Sequence, residues 1–166
     1  PDVDTEAGNL ALTHRFNRLE VQLRASLTET DIDDATNDDG TITVNDDRDT
    51  RVKEEFVRLS YELKPSFAVF AEGGLNQRDY KVASFSDGIR RDGDGQRYRF
   101  GLDFGDEGQV LRGELSVGYG VQNPDAQELN EVEGFLFDSN VTWRVTDLTA
   151  LRLTGSTEIS DTTTVG

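Results

Sequence analysis

The chain has 166 residues, with 33 Asp and Glu against 17 Lys and Arg, and a formal net charge of −16. This acidity excludes electrostatic attraction to nucleic acid or to anionic lipid headgroups as the main role, so we expect no nucleic-acid partner. The absence of cysteine excludes a disulfide framework, a thiolate metal site and a Cys nucleophile. A single histidine, His14, leaves little room for a His-based metal site or catalytic triad.

Apolar and polar side chains alternate along most of the chain. Residues 18–28 place Leu, Val, Leu, Ala and Leu at the odd positions, and a polar or charged side chain at every even position. This period of two over 11 residues predicts a β-strand with one apolar and one polar face. The same pattern predicts seven further strands, at 9–16, 57–63, 67–75, 97–104, 110–122, 138–145 and 151–159. The sequence therefore predicts an all-β, antiparallel fold without helices.

The connections between these strands alternate in length. Short ones lie near residues 15–17, 64–66, 105–109 and 146–147, and long ones cover 31–50, 80–95 and 123–134. In an up-and-down meander this order puts every short turn at one end of the sheet and every long loop at the other. We therefore expect residues 1–166 to form a single β-barrel domain or an interior fragment of one.

Alternation alone does not say which face is inside. A soluble sandwich or lipocalin-like barrel buries the apolar face, whereas an outer-membrane barrel turns it toward lipid. The longest predicted strands reach 11 to 13 residues, enough for the ~9–11 tilted residues that cross a bilayer. Aromatic residues near the strand ends resemble two interfacial girdles, with Tyr61, Phe67, Tyr98, Phe104 and Trp143 as the membrane-interface candidates. These features favour a transmembrane β-barrel in contact with outer-membrane lipid.

The polar face carries arginine and glutamate at a density that predicts cross-strand ion pairs lining a water-filled lumen. The candidate lumen-facing residues are Arg18, Glu20, Arg24, Arg58, Glu62, Arg97, Arg99, Arg112, Glu114, Arg144, Arg152 and Glu158. The alternative is the solvated face of a soluble sheet, in a module that binds a small apolar ligand.

Most of the negative charge lies in the long-loop end, and residues 31–49 alone contain eight Asp and one Arg. Asn37, Asp39 and Asp46 have the spacing of the third, fifth and last ligands of a calcium loop. Ala35 occupies the first ligand position, so an ordinary solvated acidic loop is the simpler interpretation. We expect no cofactor, apart from this weak indication of calcium.

Several segments share a pattern of strand and turn residues, namely Leu111-Arg-Gly-Glu-Leu-Ser-Val-Gly-Tyr119 and residues 67–72, 76–80, 87–95, 141–145 and 148–153. In this pattern the sequence resembles a family of bacterial outer-membrane β-barrel porins. The resemblance implies a barrel in the outer membrane of a Gram-negative bacterium, often associated with export of exopolysaccharide or with surface-polysaccharide functions. The family offers no established catalytic residues to carry over, so we expect no enzyme activity.

Three functions remain open on the sequence. The first is a porin-like channel for hydrophilic solutes, possible cargoes including a polysaccharide; the second is a structural or adhesive barrel without conductance. The third is the soluble binding module described above.

The first and last predicted strands begin and finish at the long-loop end, whereas a full barrel keeps both termini at the short-turn end. We therefore expect about eight strands of a larger barrel.

Overall fold

The computed structural model describes residues 2–36, 38 and 40–157, most of which form one antiparallel sheet. Its eight strands are β1 (Val3–Phe16), β2 (Leu19–Ile32), β5 (Thr50–Lys64), β6 (Phe67–Tyr80), β7 (Gly93–Phe104), β8 (Leu111–Pro124), β9 (Val132–Thr146) and β10 (Thr149–Ser156). Their order in the sheet is their order in the chain. The predicted all-β antiparallel meander is confirmed, as an open sheet with β1 and β10 at its edges.

Most strands are longer than the alternation predicts. The first was expected at 9–16, but β1 begins at Val3, which pairs with Ile32. Here Glu6 lies opposite Glu29 and Thr5 opposite Thr30, so both faces of the hairpin are polar. Backbone pairing continues where alternation has ended, because the ladder does not require an apolar face. Residues 158 and 159 of the last predicted strand lie outside the described residues.

The short connections all lie at one end of the sheet. Asn17 and Ser66 lie in two of the tight turns with φ of 57° and 61°, a conformation that short polar side chains tolerate. Gly105 and Gly108 supply the positive φ of the longer β7–β8 connection. The two residues after β9 complete the set, so the predicted one-sided turns are confirmed.

The acidic segment predicted as a loop at 31–50 contains secondary structure. Its first two residues complete β2 and Thr50 begins β5. Between them lie a small hairpin of β3 (Ala35–Thr36) and β4 (Ile42–Thr43) and a short 3₁₀-helix, η1 (Asp46–Arg48). The hairpin was missed because two-residue strands carry no detectable alternation.

The two faces of the sheet differ in composition and exposure. The apolar face bears side chains such as Leu12, Phe100 and Leu153, which are 61%, 64% and 68% exposed. The opposite face, called the charged face below, bears Arg24, Arg58, Glu72, Arg99 and Glu114, which the strand register aligns. Within the described part of the chain, the hydrophobic side chains that are buried are Phe70 and Leu129. The best-packed layer is therefore on the charged side.

The sheet curls toward the charged face. Arg58 on β5 and Glu114 on β8 are separated by three strand spacings, about 14 Å in a flat sheet. Their Nη2 and Oε2 atoms nevertheless lie 2.8 Å apart. Arg99 on β7 reaches Asp138 on β9 in the same way, at 3.5 Å. Contacts of this kind require the strands to bend around the charged side.

The strands are also staggered along their length. Following opposite residues across the sheet leads from Phe16 at the end of β1 to Gly155 on β10, through Leu19, Tyr61, Val69, Leu102, Leu115 and Ser139. β10 begins at Thr149, six residues before Gly155. A progressive stagger of this kind accompanies the strand tilt of barrels.

Candidate functional site: the charged face

The register places ten of the twelve predicted lumen residues on the charged face. Opposite or alternate positions align Glu20, Arg24, Arg58, Glu62, Arg97, Arg99, Arg112, Glu114, Arg144 and Arg152. The prediction for Arg18 as a strand residue is wrong, because Arg18 lies in the β1–β2 turn. It still lines a pocket at the short-turn end. Glu158 lies outside the described residues.

Glu72 is the central carboxylate of the charged face. Its side chain is only 3% exposed, and it accepts hydrogen bonds from Arg24 through one oxygen and from Arg99 through the other, at 2.7 Å for Arg99. Burial of a carboxylate is unfavourable unless it is paired, and two guanidinium groups provide that pairing. The three side chains connect β2, β6 and β7.

The sequence reasoning did not select Glu72 as a site residue. On β6 its face also carries Ala68, Phe70 and Gly74, so the local alternation does not mark that face as polar. The two neighbouring strands could have identified Glu72 as a polar position. Arg58 on β5 and Arg99 on β7 lie opposite it, one on each side.

Arg58 connects the layer around Glu72 to the short-turn end. Its guanidinium lies 3.5 Å from the ring centroid of Phe70 and bonds Glu114, with Asp103 at 3.8 Å. The Phe70 ring covers Gly101 on β7, where an added Cβ would overlap the ring. Gly101 therefore leaves room for the Phe70 ring, and this ring stabilises the Arg58 guanidinium by a cation–π contact.

A second arrangement of the same kind lies beside it. The Phe56 ring covers Gly74, where a Cβ would again overlap it, and Arg97 lies over the ring with its guanidinium carbon 4.2 Å from the centroid. Arg24 approaches the same ring at 5.2 Å. Phe56 and Phe70 are aromatic residues on a face that is otherwise charged, and the guanidinium groups over their rings account for their position there.

This packed layer lies between two openings on the charged face. A groove of about 370 Å³ lies toward the long loops and is lined by Glu54, Asn76, Arg97, Arg99, Gln122 and Asp138, among others. A smaller pocket of about 180 Å³ lies toward the short turns and is lined by Arg15, Arg18, Glu20, Arg58, Glu62 and Asp103, among others. Both openings are polar, as expected for surfaces in contact with water.

The long-loop end is held together by carboxylates. Asp49 is buried and accepts hydrogen bonds from the Ile32 backbone N–H at 2.8 Å and from Lys81 Nζ at 3.1 Å. The bond to Asp49 holds the pKa of Lys81 above its usual value. In the next loop Arg91 binds Asp87 at 2.6 Å and holds the pKa of that carboxyl below its usual value. Some of the carboxylates in the long loops are therefore not simply solvated, because they bind and stabilise the loop backbone and side chains.

The calcium indication stays a prediction. Asn37 and Asp39 lie outside the described residues, and Asp46 begins η1. In the part of the chain that the structure describes, no three His, Cys, Asp or Glu side chains are grouped to hold a metal ion.

The five predicted interface aromatics are all on the apolar face. Phe67 lies opposite Phe104, and Tyr61 opposite Leu19. Trp143 lies opposite Leu111 near the short turns. Tyr98 pairs with Tyr119, whose ring meets that of Phe135 edge-on at 5.6 Å. The sheet thus brings three aromatic residues of β7, β8 and β9 into one row toward the long loops.

A sequence model of the family described as "Putative beta-barrel porin 2" matches residues 1–166. The chain belongs to this family. The resemblance inferred from the strand and turn motifs is thereby confirmed. No curated protein and no solved structure matches the chain significantly. The described residues include no helix with the length and hydrophobicity needed to cross a membrane.

Membership in the β-barrel porin family fits the arrangement of the sheet. The family's description joins a barrel with a porin, and the chain contributes an antiparallel meander with one apolar and one charged face. The name also suggests the outer membrane as the location.

Proposed function

We propose that this protein forms a channel in the outer membrane of a Gram-negative bacterium and lets hydrophilic solutes pass. In this proposal the apolar face contacts lipid and the charged face lines a water-filled lumen. The short turns face the periplasm and the acidic loops face outward. Surface or exported polysaccharide is the more specific cargo that the family resemblance implies.

The distribution of exposure carries the proposal. Many large apolar side chains on one face are between 39% and 85% exposed, whereas Glu72 on the other face is almost fully buried. Soluble monomers rarely expose apolar patches beyond a few hundred Å². The pattern is unfavourable in water and favourable when lipid covers the apolar side.

The same observation argues against a soluble binding module. Such a module would bury Leu12, Phe100 and Leu153 in its core and expose its arginines. Here these three residues are among the most exposed hydrophobic side chains, and Arg58 is only 13% exposed.

A second candidate is a barrel that does not conduct. Phe56, Phe70 and the arginines over them fill part of the charged face, and a lumen packed throughout in this way would leave no continuous water path. The loops would then carry the function by contacting surface partners. We propose no enzymatic role for either candidate, because carboxylates such as Glu20, Glu72 and Glu114 are bound to arginine.

Planar-bilayer recording tests the proposal. The chain is folded into detergent micelles, its β-sheet content is checked by circular dichroism, and it is added to a lipid bilayer under voltage. Steady unitary currents are expected. A folded, lipid-inserted protein without current would favour the non-conducting barrel. A monodisperse, folded protein in buffer without detergent would overturn the membrane assignment.

A further inference from the structure

We propose that the groove toward the long loops binds a neutral, hydroxyl-rich solute such as an oligosaccharide. The inference rests on the proposed function, since it places the groove inside the lumen, and it names the class of solute that the lumen recognises. The groove's balance of charges and two of its buried polar atoms favour such a solute.

The charges that line the groove are largely neutralised by one another. Arg97 binds Glu54 at 3.3 Å, and Arg99 binds Glu72 at 2.7 Å and Asp138 at 3.5 Å. An anion or a cation therefore meets groups of both signs. Each guanidinium has five N–H donors and each carboxylate several acceptor sites, so these pairs leave hydrogen-bonding capacity unused.

Carboxamide and hydroxyl groups complete the lining. Asn76 and Gln122 converge over Gly95, where an added Cβ would overlap both side chains. Ser156 and Thr157 close the β10 side of the groove. The groove thus offers planar donors and acceptors together with hydroxyls, a combination that suits the hydroxyl groups of a sugar. Its volume of about 370 Å³ lies within the ~300–1,000 Å³ of ordinary ligand sites.

Among the residues that the structure describes, two atoms of this lining are buried and have no hydrogen-bond partner. They are Oδ1 of Asn76, an acceptor, and Nε of Arg99, a donor. Buried polar groups are ordinarily paired with protein or with water, so this acceptor and this donor are expected to take a partner from the solution that fills the groove. A hydroxyl group both donates and accepts, and a bound polyol would satisfy both atoms once their side chains turn toward it. A carboxylate could satisfy only the donor.

The aromatic residues near the groove are poorly placed to stack on a solute, since Phe137, which borders it, lies opposite Val117 on the apolar face. The Phe56 ring beside the groove lies against Gly74 on one side and carries Arg97 on the other. Recognition therefore depends on hydrogen bonds, and removal of one carboxamide is expected to weaken it strongly.

Titration calorimetry on the detergent-folded chain tests the site with maltotriose as the neutral probe and trigalacturonate as the anionic one. Asn76→Ala and Gln122→Ala are each expected to weaken maltotriose binding at least tenfold. Gln22→Ala is the matched control, because Gln22 lies on the charged face but lines the short-turn pocket. This variant should bind as the parent does. Circular dichroism verifies the fold of each variant.

The inference is overturned if maltotriose does not bind, if trigalacturonate binds more tightly, or if Gln22→Ala weakens binding as much as both groove variants. Its failure can be separated from failure of the channel. Maltotriose binding by a protein that gives no current would contradict the channel alone. A conducting protein that ignores maltotriose would contradict the groove alone.

Discussion

Arg24 on β2 and Glu72 on β6 form an ion pair across the intervening strand β5. The two strands are two spacings apart, about 10 Å in a flat sheet, and both side chains lie on the charged face, so the pair closes over β5. Arg99 completes the arrangement from β7. The buried carboxylate thus holds together three strands that do not all pair directly.

Removal of the Glu72 carboxylate should destabilise the sheet. Glu72→Ala leaves Arg24 and Arg99 without their shared acceptor. Breaking a fully buried pair costs ~3–5 kcal/mol, and because Arg24 is 44% exposed, we expect a loss of about 2–3 kcal/mol in the free energy of unfolding. Urea unfolding in lipid vesicles measures it. Glu62→Ala is the control, since its partner Arg15 is 61% exposed, and should cost less than ~1 kcal/mol. Equal losses would contradict the central role of Glu72.

Gly101 should not tolerate a side chain. In Gly101→Ala the new Cβ overlaps the Phe70 ring and the Leu115 carbonyl oxygen, so ring and strand must both shift. Overpacking of this kind costs about 1–3 kcal/mol, measurable by the same unfolding assay. Gly8→Ala has nothing within 4 Å of the new Cβ and should be close to neutral. A neutral Gly101→Ala would mean that Phe70 does not occupy the charged face.

A charge on the apolar face should hinder insertion into lipid. Val117 lies midway along β8 and is 62% exposed on that face. Val117→Arg is expected to cost about 2–4 kcal/mol of folding free energy in vesicles if the residue faces the bilayer midplane. Leu148→Arg, in a short turn, should have little effect. If both variants fold equally well in vesicles, the apolar face does not contact lipid.

Acid should loosen the loop between β6 and β7. Because Arg91 lowers the pKa of Asp87 below its ordinary value of 3.8, the contribution of this pair is fully present above that pH. It is lost as the pH falls through the lowered pKa. Asp87 also accepts the Ile89 backbone N–H at 3.0 Å. Amide exchange at Ile89, corrected for its intrinsic pH dependence, should therefore rise in acid, whereas Asp87→Asn should remove this dependence. Parallel profiles in the two proteins would exclude the contact.

Ion selectivity should depend most on the arginines of β8–β10. Arg112 and Arg152 flank Thr142 in register, and neither has an ion-pair partner within the described residues. Replacing both by glutamine should shift the reversal potential in a KCl gradient toward cations. Arg58→Gln is the comparison, because Arg58 is already bound to Glu114, and it should shift the potential less. The opposite ranking would place Arg112 and Arg152 outside the conducting path.

The sequence was sufficient for the strands and the faces but not for the partners. The alternation of side chains along each strand was enough to place Arg58 and Arg99 on one face, because neighbouring side chains on a strand point to opposite faces. This alternation could not reveal that Arg58 contacts Glu114 three strands away, since that contact arises from the curvature of the sheet. Phe56 and Phe70 contradict a simple alternation of apolar and polar residues. Glycines on the adjacent strands admit them, and that relationship is long-range.

The stagger of the strands determines which side chains would lie at the same depth in the proposed channel. Arg58 lies in register with Glu72, Arg99 and Gly118, yet it bonds Glu114, four residues along β8 from Gly118. Groups at a common height therefore follow a helical line around the wall rather than a hydrogen-bonded row. A solute descending the axis would meet the side chains in an order set by strand tilt, so neighbours along its path come from distant parts of the chain.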